Sequence, residues 1–200
     1  MRYKFYREHK YVSAALNKLE RLIAKTDFRS YQETSSVKTE WQEVSHMLHE
    51  HAKYEEERLH PLLEKKGSKA HLHAHEDHES FDDTFRLIDD LLEAINNESS
   101  PEKKVEKGYQ LYLTYRKFVG ENLLHLHEEE TSILPELQKH YTDSELRMVE
   151  EPTYKAMTPN QLTSMLNGLF PHMNASDKEA FLDDIQRAAP GKFEKLTSFL

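Results

Sequence analysis

The chain has 200 residues, enough for one domain or one domain with an appendage, and enough to bury a core. It contains no cysteine, which excludes disulfides, thiolate zinc sites and cysteine-ligated iron–sulfur clusters. With 27 basic and 36 acidic residues the formal net charge is −9, which argues against nucleic acid as a partner.

Glycine is scarce, and apolar residues recur at three- and four-residue steps, the helical period. A first helix is expected over roughly Tyr3–Ala24, with the stripe Phe5, His9, Val12, Leu16, Leu19, Ile23. A second spans roughly Ser36–Lys65, with Trp41, Val44, Leu48, His51, Glu55, Leu59 and Leu62 on one face, and ends at Gly67. Asp27–Ser35 before it reads as the longest internal connection. The third covers roughly Lys69–Asn96, on the stripe His78, Phe81, Phe85, Ile88, Leu92, Ile95. Ser100 caps the fourth and Pro101 takes its first position. That helix runs to about His140, with Leu111, Tyr115, Phe118, Asn122, His125, Glu129 and Ser132/Ile133 facing inward.

Four such helices joined by short turns predict an all-α, up-down-up-down four-helix bundle over residues 1–140. Residues 141–200 read as a C-terminal extension of three or four short amphipathic helices. Thr142 with Glu145 and Ser176 with Glu179 have capping-box spacing, and Thr158-Pro159 marks a further start. No long apolar run or signal-like segment occurs, so no membrane partner and a cytoplasmic location are expected.

The chemistry lies in a repeat. His51-Ala52-Lys53-Tyr54-Glu55-Glu56, followed by Pro61 and Leu63, has the same form as His125-Leu126-His127-Glu128-Glu129-Glu130, followed by Pro135 and Leu137. Both read H-x3-E-E-x4-P-x-L. Residues four apart share a helix face, so each string sets an imidazole and a carboxylate on an otherwise apolar stripe. His9 and His78 lie on the stripes of the other two helices. In an up-down bundle these six residues fall at one end. Buried carboxylates without partners cost several kcal/mol, roughly, and divalent cations remove that cost. Imidazole with carboxylate suits iron, zinc or manganese. His46, His49, His60, His71, His73, His127 and His140 phase away from the stripes and are expected in solvent. Trp41 is expected to pack in the core, and Tyr115 to be core or to line a pocket.

With Glu8-His9, the two strings and the third-helix His78 in place, residues 1–140 resemble the hemerythrin-like, or HHE cation-binding, family. Met157-Thr158-Pro159 and Asp183–Pro190 resemble an extension found after some members and in plant iron-regulatory proteins carrying such domains. The resemblance implies a non-haem di-iron centre of the Fe–O–Fe type that binds dioxygen. Glu55 and Glu129 would bridge the irons, and His9, His51, His78 and His125 would be terminal ligands. The marine oxygen carriers take two histidines four apart from the third helix, but here Ala74 precedes His78 by four. His75, the pair His71 and His75 in a shifted register, or Asp82 are the alternatives for that position. A ferritin-like site needs Glu-x-x-His on two helices; Glu43-x-x-His46 and Glu57-x-x-His60 both fall on the second helix and off its stripe. Three functions follow: a binder of dioxygen or a related diatomic or peroxide; an iron- or oxygen-sensing module that engages a protein partner, or itself, through residues 142–200; and a di-iron peroxidase or oxidase assisted by Glu56 or Tyr115.

Overall fold

The computed structural model describes residues 2–196, and every described regular element is helical. Two compact units divide the chain: Val12–Ile133, and Met1–Tyr11 together with Leu134–Leu200.

The larger unit holds most of α1 (His9–Lys25), then α2 (Tyr31–Tyr54), α3 (His60–Glu64), α4 (Leu72–Asn96) and α5 (Pro101–Glu128). α2 packs along α4, and α4 along α5. The predicted stripes meet in one core that includes Leu16, Leu19, Trp41, Val44, Phe85, Ile88, Leu111, Tyr115 and Phe118. Trp41 is buried as expected, and its Nε1 also donates to Asp89 Oδ1 at 2.8 Å. Tyr115 is core rather than pocket wall. It is fully buried, and its hydroxyl donates to the Leu16 carbonyl at 3.1 Å.

Three boundaries differ from the periodicity. α1 begins at His9 rather than Tyr3 because Tyr6 adopts φ 65°, a left-handed conformation that a right-handed helix cannot contain. α2 begins at Tyr31 rather than Ser36, because the Ser30 side chain accepts from the Glu33 N–H and nucleates the helix earlier. The Asp27–Ser35 connection therefore shrinks to residues 26–30, shorter than the link between α3 and α4. That link, residues 65–71, turns at Gly67, whose φ of 70° takes the chain away from α3 while the Ser68 N–H reaches back to the Leu63 carbonyl. Ser100 caps α5 as its sequence implies.

The periodicity also missed two interruptions. Glu55–Leu59 and Glu129–Ile133 are π-helical turns. In the first, the His60 N–H bonds the Glu55 carbonyl, five residues back. Pro61 and Pro135 each follow two residues after the turn, where a missing N–H and a bulky ring disfavour ordinary α geometry. Each turn adds a residue to its helix, so the buried face moves on by one: Leu63 is buried instead of Leu62, and of the pair Ser132/Ile133 it is Ile133 that is buried.

The other unit contains α6 (Leu134–His140), α7 (Asp143–Ala156), α8 (Pro159–Leu169), α9 (Ala175–Ala188) and α10 (Pro190–Leu196). Thr142–Glu145 and Thr158–Gln161 form capping boxes. Ser176 does not start a helix: Asn174, two residues earlier, accepts from the Asp177 N–H and caps α9, and Ser176 donates to Asn174. α7–α10 account for the expected short helices as far as Leu196; the rest of the 141–200 extension lies outside the described residues. Their core includes Tyr154, Leu162, Leu166, Phe181 and Ile185.

Within this unit the segment 2–11 is fastened to the helices. Arg7 Nη2 donates to Asp184 Oδ2 at 2.6 Å with both side chains buried, and Arg147 reaches the other Asp184 oxygen at 3.1 Å. Arg2 bonds Asp143 and the carbonyls of Gln138 and Tyr141, Lys10 pairs with Asp177, and Tyr3 bonds Glu150.

Candidate metal centre

The two repeat strings place their ligand types at matching helical positions. His51 lies in the last turn of α2, and Glu55 opens the π turn that follows; His125 and Glu129 do the same at the end of α5. Both glutamates are fully buried. His78 projects from the buried face of α4. His51 Nε2 lies 3.4 Å from Glu55 Oε1, His125 Nε2 3.3 Å from Glu129 Oε1, and His78 Nε2 3.5 Å from Glu55 Oε2. One ligand atom from each of Glu55, His78, His125 and Glu129 falls within 4.8 Å of all the others, and the same holds for His51, Glu55 and Glu129. Glu55 and Glu129 thus belong to both groups, as carboxylates shared between two cations would.

The fit to a cation shows in the imidazole tautomers. His78 Nδ1 donates to Glu56 Oε1 at 3.1 Å, and His125 Nδ1 donates to Asp77 Oδ2 at 3.0 Å. Those bonds place the proton on Nδ1 and leave a lone pair on each Nε2. The two Nε2 atoms stand 3.0 Å apart. Facing lone pairs repel unless a proton or a cation lies between them. An imidazole held at Nδ1 by a carboxylate is the usual support of a metal-bound histidine. Nitrogen and carboxylate oxygen without thiolate suit iron, zinc or manganese, so these residues fit the iron pair that the resemblance implies.

Burial pulls His125 down, but Glu129 and Asp77 outweigh it and hold this imidazole above its ordinary value. Burial, then the charge of His125, hold His78 below it. Burial pushes Glu56 up, but the hydrogen bonds from His78 and His75 outweigh this and keep it below the usual carboxylate range.

The structure therefore brings together His51, Glu55, His78, His125 and Glu129. His9 opens α1 in the other unit, buried, with its ring stacked on Tyr6 at 4.6 Å. His75 and Asp82 are not in the cluster. His75 is half exposed and bonds Glu56, and Asp82 is exposed and faces His49 at 3.3 Å. Sequence reasoning missed Asp77; its position beside His78 was the signal.

His60 and His71 correct the sequence reading. Both are buried, at 4 % and 5 % exposure, with ring centroids 5.2 Å apart, and His60 stacks at 6.1 Å on His78. The π turn rotates His60 inward, and His71 sits at the start of α4 beneath it. The place of His60 before Pro61 is taken in the second string by Leu134, also buried, so a buried side chain was legible there from the repeat itself.

No curated protein and no solved structure matches the chain. Residues 1–137 match the family described as the Hemerythrin HHE cation binding domain. With both ligand strings inside that span and their side chains gathered as a cation would require, the chain belongs to the hemerythrin HHE cation-binding family.

Proposed function

We propose that this protein is a cytoplasmic, non-haem di-iron protein that binds or senses dioxygen, or a related small diatomic or peroxide. Glu55 and Glu129 would be shared by the two irons, with His51, His78 and His125 as further ligands; His9 would complete the set on the strength of the sequence pattern and the family resemblance. Zinc and manganese are the substitutes. The iron pair, when bound, supplies redox-active positions at which a small oxygen species can coordinate. The chain's own residues fix the imidazoles through Glu56 and Asp77. We further propose an alternating up-and-down order for α1, α2, α4 and α5, and a division of labour between a metal-binding part over 1–140 and an extension over 141–200.

The observation that carries the reading is the pair of Nε2 atoms on His78 and His125, 3.0 Å apart and each anchored at Nδ1 by a carboxylate. The test is iron per chain after reconstitution, with the visible spectrum of the oxidised form. About two irons per chain with absorption that responds to azide is the expected result; less than one iron per chain overturns it.

A second reading, metal sensing through the extension, is favoured by the buried Arg7–Asp184 pair. Arg7 lies two residues before His9, so a change in how His9 is held can reach α9 through it. Iron loading should slow proteolysis of residues 142–196; equal digestion with and without iron removes this reading.

A further inference from the structure

A cavity of about 280 Å³ opens within Val12–Ile133 against His51, His78 and His125. A water molecule takes about 30 Å³ of liquid volume, so a diatomic fills only a small part of this space. The size lies near the lower bound for organic-ligand pockets, roughly 300 Å³. At about 30 Å³ per water the cavity has the volume of roughly nine waters, space for a small organic molecule.

Its lining defines the ligand. Phe81, Phe85 and Leu126 give an apolar wall. Asn122 interrupts that wall: it is buried at 2 % exposure on the inward stripe of α5, three residues before His125. Its Nδ2 donates to the Phe118 carbonyl at 2.9 Å, which fixes the amide and uses one of its two N–H groups. An amide on an apolar stripe costs stability unless its polar atoms are used, and binding a diatomic to metal requires none of them. Glu50, Glu56 and Asp82 give the lining an acidic character that Lys53 only partly offsets, so in the metal-free protein an anion is disfavoured.

We propose that this cavity binds a small neutral organic molecule carrying a hydroxyl group, with its apolar body against Phe81 and Phe85 and its hydroxyl on the Asn122 amide. The inference rests on the metal-centre reading for its consequence, since the occupant lies beside the ligand histidines and its class names what that centre meets. The cavity and its amide belong to the protein part alone.

Phenol is the probe, titrated into metal-free and iron-loaded full-length protein by calorimetry and by amide-resolved NMR. Saturable one-to-one binding in both forms is expected, with shifts at Phe81, Phe85 and Asn122, and with benzoate and benzene each bound more weakly to the metal-free protein. Asn122→Leu should weaken phenol about tenfold, the loss of one hydrogen bond, while leaving benzene unchanged. Ala52→Phe fills the cavity from α2 and should abolish binding; circular dichroism and iron uptake establish that each variant folds. Absence of saturable phenol binding, or equal phenol affinity in wild type and Asn122→Leu, overturns the proposal. Iron uptake without phenol binding defeats this inference alone, and phenol binding without iron uptake defeats the metal-centre reading alone.

Discussion

Glu55 and Glu129 hold the same place in the two repeat strings, and each opens a π-helical turn with its side chain fully buried. The wider turn admits the proline that follows and carries the carboxylate into the cluster, so local backbone irregularity and ligand placement have one origin. Irregular turns of this kind often mark functional positions in helices.

Removing one shared carboxylate tests the centre directly. Glu129→Gln keeps shape and removes charge. Iron uptake should fall at least tenfold, and the rise in melting temperature that iron gives the wild type should vanish. That rise reflects ligand bound only to the folded state, about 2.7 kcal/mol at a hundredfold excess over Kd. Metal analysis and calorimetry on the same samples read both.

Asp77 reaches the cluster through His125 Nδ1. Asp77→Asn should weaken iron binding by about 10–100-fold, the usual penalty for losing the support of a ligating imidazole. The number of irons bound at saturation should stay unchanged. A competition titration with a chelator measures the affinity.

His60 gives a pH dependence. Burial first, then the charges of His78 and His71, push its pKa down to about 4 from 6.5. A depressed folded value means that the unfolded chain binds the proton first, so the contribution to stability is full above about 6.5 and is lost as pH falls toward 4. The change across that window is at most about 3 kcal/mol. His60→Leu, the residue type found at Leu134, should flatten this slope in denaturant melts of metal-free protein and should not remove iron. His60→Ala should instead cost about 2 kcal/mol by leaving a cavity.

Glu150 works with the opposite sign in the other unit. Burial first, then Glu8, raise its carboxyl to about 7, against the bonds it accepts from the Tyr3 and Tyr154 hydroxyls. A raised folded value stabilises below about 4.5 and loses that contribution as pH rises through 7. Hydrogen exchange in residues 143–188, corrected for intrinsic rate, should therefore be slower at pH 5 than at pH 8. Glu150→Gln should abolish the difference.

Gly108 reports on packing far from the ligands. A Cβ there would meet the Phe28 ring at 2.1 Å, and Phe28 is itself buried. Gly108→Ala should destabilise by about 1–3 kcal/mol despite the better helix propensity of alanine, as read by chemical denaturation.

The sequence by itself determined the helical class and the inward faces of the four long helices, because a period of 3.6 residues sorts side chains wherever the backbone stays regular. The repeated string determined which carboxylates and imidazoles lie on those faces. It did not reveal where the rods change pitch. The π turns at Glu55 and Glu129 shift the phase by one residue, so His60, read as exposed, is buried, and Leu63 replaces Leu62. The start of α1 at His9 depended on the left-handed Tyr6, in a segment that hydrogen bonds to distant helices hold in place. The imidazole tautomers, the support from Asp77 and the cavity beside Asn122 were decided by tertiary structure alone, because each depends on which atoms of remote residues come within about 3 Å, a distance that no spacing along the chain encodes.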